Sequence, residues 1–509
     1  MARKVWIAFG SILFLYVSYS TFIDAPSPAR LAAGGQEAPL AGRTTFYVPD
    51  NYATIQEAID AVVNGDTVIV RAGSYLENIT FRGKNIEVKS EAGPQHTAID
   101  GNLRGTVVSF HAGEGPGAIL DGFSVSNGKG SGGFLDEFGG GIYISDSSPT
   151  VRNCIVSGNT ARDAGGGICC VSSAAIIEYN IIRNNVLTSF STGAGIYCYE
   201  SSATITGNII SNNSADEGAA GIYCKDSSPA IINNIIAGNS AGRFGGGICC
   251  SGSSSPVIAF NTITGNSSSL GGGIYCGFHA SPTIVNCILW NNTAPPGAGA
   301  EIHLHDYFPT TLDIDYCDVG GGLTSVYEGP SATLNWGSHM LDSDPLFAES
   351  GAGDFHLTFG SPCRDVADVS IPGLPPFDFE GDPRVVNNRA DLGADQFYFH
   401  LYSMDDGPSP AADIDIRIVG GPGMAATIGT GTLQDPPQQT PFGDLYLAPP
   451  IKTLPAGTIP GTGVLILSLN VDSGLDMRAL EIYPVQALVG APGVPGTTLT
   501  NLLMLEVER

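Results

Sequence analysis

GIYCKDSSPAIINNIIAGNSAGRFGGGICC, residues Gly221–Cys250, is one full statement of a sentence that recurs from Gly139 to Leu304. Glycines lead into Ile-Tyr/Cys-Cys, then Ser-Ser-Pro, then an Ile/Asn run, then Asn again. The isoleucine after the glycines returns at Ile142, Ile168, Ile196, Ile222, Ile248, Ile274 and Ile302, at spacings of 26, 28, 26, 26, 26 and 28. A period of this size signals stacked units that bury their apolar faces on one another. Each unit carries three short runs rich in β-branched residues, separated by Gly, Ser, Pro and Asn, which favour turns. No window shows apolar residues at helical spacing over three turns. The expected fold is all-β: a coil of three strands per turn, with equivalent residues about 4.8 Å apart in neighbouring turns.

Ladders follow from such stacking. With Ile142 inward, Tyr143 faces out and Ile144 in. The second inward position reads Ile144, Cys170, Cys198, Cys224, Cys250, Cys276, Leu304, and a further apolar ladder reads Val151, Ile177, Ile205, Ile231, Ile258, Ile284. Asn180, Asn208, Asn234 and Asn261 form one asparagine ladder between Cys154 and Cys287. Asn159, Asn185, Asn213, Asn239, Asn266 and Asn292 form another. Asparagine tolerates turn geometry and bonds to the coils above and below.

This pattern resembles the right-handed parallel β-helix proteins of the pectin-lyase-like superfamily, over about Tyr47 to Phe397. The handedness comes from the resemblance. Within it, TIQEAIDAVVNGDTVIVRAGSYLENI, from Thr54, resembles the entry segment of secreted β-helix proteins, where an amphipathic helix covers the first coil. Ile55, Ile59 and Val62 share one face of that helix, with Asp50 or Asn51 as its cap. Covering the end protects apolar core and unpaired strand edge. The phrases Asp344-Pro-Leu-Phe, Gly360-Ser-Pro-Cys and Ala390-Asp-Leu-Gly-Ala-Asp resemble the exit segment of bacterial surface β-helix proteins. That segment is read as the C-terminal closure, its aspartates as turn-formers.

The chain before the repeat is expected to supply earlier coils, with Ile119, Phe123 and Asn127 matching Val151, Ile155 and Asn159 at a spacing of 32. The surplus of that coil falls in the loop 128–138. Residues 1–29 are read as a signal peptide or retained anchor: Arg3 and Lys4 precede an apolar run from Val5 to about Ile23. Residues 30–45 are a Pro/Ala/Gly linker, and 46–396 the β-helix with its cap and closure. From 397 to 509, alternating runs such as Ile414-Asp-Ile-Arg-Ile-Val and Val464-Leu-Ile-Leu-Ser-Leu suggest a small antiparallel β-sandwich. This organisation places the protein at the cell surface or outside the cell.

The 22 basic and 49 acidic residues leave a net charge of −27. That argues against nucleic acid and anionic membrane as partners. Eleven cysteines in an exported chain usually mean disulfides. Here five of them stack one coil apart, about 4.8 Å between Cβ atoms, beyond the usual disulfide reach. They read as small buried hydrophobes, and no Cys-x-x-Cys with histidine spacing marks a zinc site.

Enzymes of the superfamily work on the outward side chains of one sheet. Here that ladder reads Tyr143, Cys169, Tyr197, Tyr223, Cys249, Tyr275, His303, with Tyr199, Lys225 and His305 at the next outward position. Tyr143, Tyr197, Tyr199, Tyr223 and Tyr275 are candidates for stacking on sugar rings. Ordinary aromatic stacking that shields the sheet is the alternative. Lys225 with Glu200 or Asp226 fits the outline of a lyase or a hydrolase, each of which needs a base or paired carboxylates. The alternative is solvated turn charges. His303 and His305, beside Glu301 and Asp306, share a strand face as metal ligands do. The superfamily's polygalacturonase phrases are missing from the repeat, as is any calcium nonapeptide, so no cofactor is expected and calcium has no motif. The resemblance carries the fold and not an activity. The expected role is a non-catalytic, monomeric, elongated surface for a polysaccharide or cell-envelope glycan. A polysaccharide lyase, hydrolase or epimerase and a purely structural surface protein are the alternatives.

Overall fold

The computed structural model describes residues 43–396, apart from 131–137, 189–191, 359, 372 and 386–387, and beyond them only the backbone of certain strands. It divides into two units, Asp24–Gln396 as the first and Met1–Ile23 with Phe397–Arg509 as the second. The described part of the first unit is a parallel β-solenoid of about eleven turns. A first sheet of twelve strands runs from Thr45–Val48 to Ala332–Trp336. A second of ten runs from Gly73–Leu76 to Asp318–Val319, and a third of ten from Ile79–Thr80 to Val326–Glu328. Each coil visits the third sheet, then the first, then the second. A fourth, narrow sheet from Thr160–Ala161 to Ser240–Ala241 lies between the second and the next visit to the third.

Register is one coil per rung. Ile142 pairs with Ile168, and the series continues through Ile196, Ile222, Ile248 and Ile274 to Ile302. All seven are fully buried, as are the cysteine and Val151–Ile284 ladders. All eleven cysteines are free and buried. Their burial among isoleucines matches the reading of cysteine as a small apolar residue.

The helix α1 spans Ile55–Ala61, with Ile55, Ala58 and Ile59 buried against the first coils. Its cap is Thr54, whose Oγ1 accepts from the Glu57 N–H at 3.1 Å, and not Asp50 or Asn51. Asn51 instead accepts from the Tyr47 N–H. Glu77 takes the next two free donors, of Ile55 and Gln56, so the helix N-terminus is satisfied from the strand below.

The coil before the repeat corrects the expected register. Leu120, not Ile119, pairs with Val151, and Ser124 pairs with Ile155, a spacing of 31. The reason lies in the turn. Asn127 sits at φ 55°, aligned with Gly158 at φ 66°, because that position requires the left-handed region that Asn and Gly tolerate. The asparagine-ladder position one residue on is Gly128, whose N–H reaches Asn159 Oδ1 at 2.9 Å. Phe123 fills the place of Cys154 and is fully buried.

The exit segment, Asp344 to Gln396, runs back along the flank of the solenoid. Cys363 meets Asp318, Asp368 meets Asn286, and Arg384 meets Asn233. Phe379 and Ala394 pack on Ile235 and Ala237, while Ala390 packs on Phe260. The turn residues between the first and second sheets present this docking line: Asn233, Phe260 and Asn286 all have φ of 53–57°.

In the second unit, Ala412–Val419 pairs antiparallel with Val464–Val471, and Ala425–Thr440 with Gly443–Thr458. Lys4–Ile7 pairs antiparallel with Phe399–Tyr402. Apart from Lys4–Ile7 and Phe14–Leu15, the expected signal segment lies outside the described residues, as does the linker up to 42.

Candidate functional site

The outer face of the third sheet is the expected site, and the chain itself roofs most of it. Before each third-sheet strand the glycines turn with positive φ, at Gly139, Gly165, Gly193, Gly245 and Gly271. A Cβ on Gly165 would stand 2.5 Å from Cys169 Cβ, and one on Gly193 2.9 Å from Tyr197 Cβ. The backbone therefore crosses directly over the outward ladder. Phe138, Ala164, Thr192, Gly218, Phe244 and Leu270 form a bridged row above it.

The tyrosines are consequently no open platform. Tyr275 is 1% exposed and Tyr197 9%, while Cys169, Cys249 and His303 are buried. Tyr143, Tyr199 and Tyr223 are half-buried. Tyr197 and Tyr223 stack with centroids 5.5 Å apart and planes 2° apart. Their contacts serve each other and the roof before any ligand.

Lys225, Glu200 and Asp226 do lie on adjacent coils, and all three are exposed. Lys225 Nζ is 5.4 Å from the centre of the Tyr199 ring. Glu200 and Asp226 both sit at φ 49°, in the turn that ends each third-sheet strand, where other coils place Asp146, Ser172 and Gly252. Asp226 Oδ1 accepts from the Ser253 N–H at 3.0 Å. The Asp226 carboxylate thus braces its turn, while that of Glu200 pairs with the Tyr199 hydroxyl. Next to them is a depression of about 380 Å³ lined by Tyr223, Lys225, Phe244, Ser251, Tyr275 and Phe278.

Phe278 leads out of that depression to an exposed aromatic patch that sequence reasoning missed. Tyr307 is 79% exposed, Phe308 39% and Phe278 37%. The Phe278 and Phe308 ring centres are 5.1 Å apart. His305 lies 5.1 Å from Phe278 and 5.4 Å from Tyr307. The signal was a break in the repeat: Gly277-Phe-His stands where the preceding coil has Ser251-Gly-Ser and the one before it Lys225-Asp-Ser. His303 is already engaged by its neighbours. His303 Nδ1 bonds the Ala298 carbonyl at 3.0 Å, and its ring is sandwiched between Tyr275 and Tyr327. Burial lowers the pKa of both imidazoles, which keeps them neutral.

A second constellation lies in the exit segment. His356 Nδ1 meets Asp354 Oδ1 at 2.5 Å, and Nε2 meets Glu380 Oε2 at 3.1 Å. Asp395 Oδ2 accepts from the Leu357 N–H at 2.8 Å. Arg384 is fully buried, donates to the carbonyls of Gly393, Ala394 and Asp395, and lies 4.6 Å from the Phe260 ring centre. Some aspartates of this segment are turn-formers as expected, such as Asp378, which accepts from Glu380 and Asp382 N–H. Asp354 and Asp395 instead gather around His356. Nothing periodic marks that gathering in the sequence.

The family model described as a right handed beta helix region matches residues 50–216 and 188–322. Among solved structures, a pectate lyase aligns at 12% identity with a TM-score of 0.41, over 70% of this chain and 96% of that one. A pectin methylesterase from Aspergillus niger aligns at 14% identity and a TM-score of 0.31, over 61% and 93%. A tailspike protein from a bacteriophage of Escherichia coli O157:H7 aligns at 13% identity and a TM-score of 0.31, over 86% and 63%. No curated protein sequence gives a significant match. Identities this low transfer no residue roles.

Proposed function

The chain belongs to the right-handed β-helix family, and from that premise we propose that it is an exported protein that binds a polysaccharide without cleaving it. The observation that carries this reading is the exposed patch of Phe278, Tyr307 and Phe308, with half-buried His305 among them, beside the depression at Lys225 and Tyr223. Aromatic faces offer apolar area with a polar edge, the combination that suits a sugar ring. Lys225 and Ser251 supply donors at the floor's rim. Glu200 and Asp226 are turn residues, which favours binding over hydrolysis or β-elimination. A net charge of −27 disfavours a polyanionic chain, so the reading points to a neutral glycan. Export rests on Arg3 and Lys4 ahead of the apolar run to Ile23.

The test is a panel of neutral and acidic polysaccharides, with and without calcium, followed by calorimetry and by assays for unsaturated products and reducing ends. The expected result is binding without turnover, weakened about tenfold or more by Tyr307→Ala or Phe308→Ala. Turnover lost in Lys225→Ala would replace this reading with an enzyme. Neither binding nor turnover would leave a structural surface role.

A further inference from the structure

The constellation at His356 lies apart from the proposed glycan surface and has its own chemistry. One nitrogen of His356, one oxygen of Glu380 and one of Asp395 all lie within 4.8 Å of one another. A cation held about 2.0–2.2 Å from nitrogen and oxygen ligands sets those ligands roughly 3–3.5 Å apart. The 3.1 Å separation of His356 Nε2 and Glu380 Oε2 is already one such edge. Asp354 holds Nδ1 on the far side of the ring, the arrangement that fixes a ligating imidazole with Nε2 forward.

Charge is an independent reason to expect a cation here. Asp378, Asp382, Asp391 and Asp395 are each at most 4% exposed, and Asp354 and Glu380 stand beside them. The described cationic groups in the same segment that face these carboxylates are His356, Arg364 and Arg384. Even with His356 protonated, carboxylates outnumber cations by six to three. Buried carboxylates are stable only when neutralised by protons or by a cation. An ion can enter from solvent, because the His356 side chain is 39% exposed and that of Glu380 16%.

We propose that His356, Glu380 and Asp395 form a binding site for a divalent first-row transition-metal ion, zinc or manganese, which ties together three points of the exit segment. One imidazole with two carboxylates suits such an ion. Calcium prefers six to eight oxygens and fits this set poorly. His356 lies on Asp354–Leu357, while Glu380 and Asp395 come from later turns that pack on Ile235 and Ala237. The ion therefore holds the segment in the shape that grips the solenoid.

The experiment uses the untagged full chain, stripped with chelator and titrated with zinc, manganese and calcium chlorides by calorimetry, with melting temperature read in parallel. The expected result is one saturable equivalent of zinc or manganese, a raised melting temperature, and little response to calcium. Glu380→Gln, at the more accessible of the two carboxylate ligands, should weaken zinc binding about ten- to a hundredfold with an unchanged circular dichroism spectrum. Asp395→Asn is the second variant, expected to do the same. No saturable zinc or manganese binding would overturn the proposal and leave His356 as a protonated ion-pair partner only. Zinc binding of unchanged affinity in both variants would overturn it equally, by placing the ion elsewhere.

Discussion

Glu301 closes the longer asparagine ladder by accepting from Asn292 twice, from the backbone N–H at 3.1 Å and from the side-chain amide at 2.5 Å. The ladder passes one amide to the next, from Asn159 through Asn185, Asn213, Asn239 and Asn266 to Asn292, at 2.9–3.1 Å. Each Nδ2 also donates to a carbonyl of the preceding coil, such as Ile210 for Asn239. The last rung would leave buried donors without an acceptor, and the Glu301 carboxylate supplies it. Glu301 is itself 3% exposed, and burial pushes its pKa up to about 7.

That burial sets a pH dependence. Asp318, which accepts from Cys363 and the Ser343 N–H, is likewise pushed up by burial to about 6. Both groups keep a proton in the folded state that the unfolded chain has lost above about pH 4.5. The folded state then binds more protons, so stability falls as pH rises from about 4.5 to 7 and levels off above. For Glu301 the loss is roughly 3 kcal/mol. Melting curves should show a higher midpoint near pH 5 than near pH 8, and Glu301→Gln should flatten the upper part of the slope. Identical pH profiles for the two proteins would contradict the assignment.

An interior rung should matter more than an ordinary buried polar residue. Asn239→Leu deprives both the Asn213 amide and the Asn213 N–H of their acceptor, Asn239 Oδ1, and leaves the Ile210 carbonyl without its side-chain donor. Unmet buried polar groups cost about 1–3 kcal/mol each. The expected loss is therefore at least about 3 kcal/mol in urea unfolding, and a loss below about 1 kcal/mol would show that the ladder is not a structural chain of bonds.

Much of this was legible because in-register stacking makes like residues meet. Seven isoleucines spaced 26 or 28 residues apart gave the rung, and Cys224 between Cys198 and Cys250 gave the packing. Where type and geometry parted, the reading slipped. Asn127 was matched to Asn159 by residue type, yet the turn needs a left-handed residue one place earlier. Outward and exposed also parted: Tyr275 faces out of the sheet and is buried under a neighbouring crossing that its own spacing does not encode. The segment holding His356, Glu380 and Asp395 has no period at all. Its shape is set by docking on Asn233, Phe260 and Asn286, a tertiary event.

The cysteines offer a direct check on the stack. All eleven are free and buried; burial is the main cause that raises the Cys154 thiol to about 12, while hydrogen bonds from the Cys224 and Cys276 thiols bring Cys250 down to about 5. A thiol that never meets solvent does not alkylate, whatever its pKa. Iodoacetamide should label none of the eleven in the native protein and all eleven after denaturation without reductant, by intact mass. A pair that stays unlabelled in denaturant would reveal a disulfide and break the ladder.

Ile222 tests whether the coils stand or fall together. It is fully buried and pairs with Ile196 on one side and Ile248 on the other. Ile222→Ala removes packing and should cost about 2–5 kcal/mol. Ile222→Asp adds an unpaired charge in the same place, far costlier in an apolar core. A solenoid rung contacts only its neighbours, so the damage should spread outward from the coil that carries it. Hydrogen exchange should show lost protection at Ile196–Tyr199, Ile222–Lys225 and Ile248–Ser251 before Thr67–Val70 is affected. A wild-type melting curve for Ile222→Asp would mean that this side chain does not face the core.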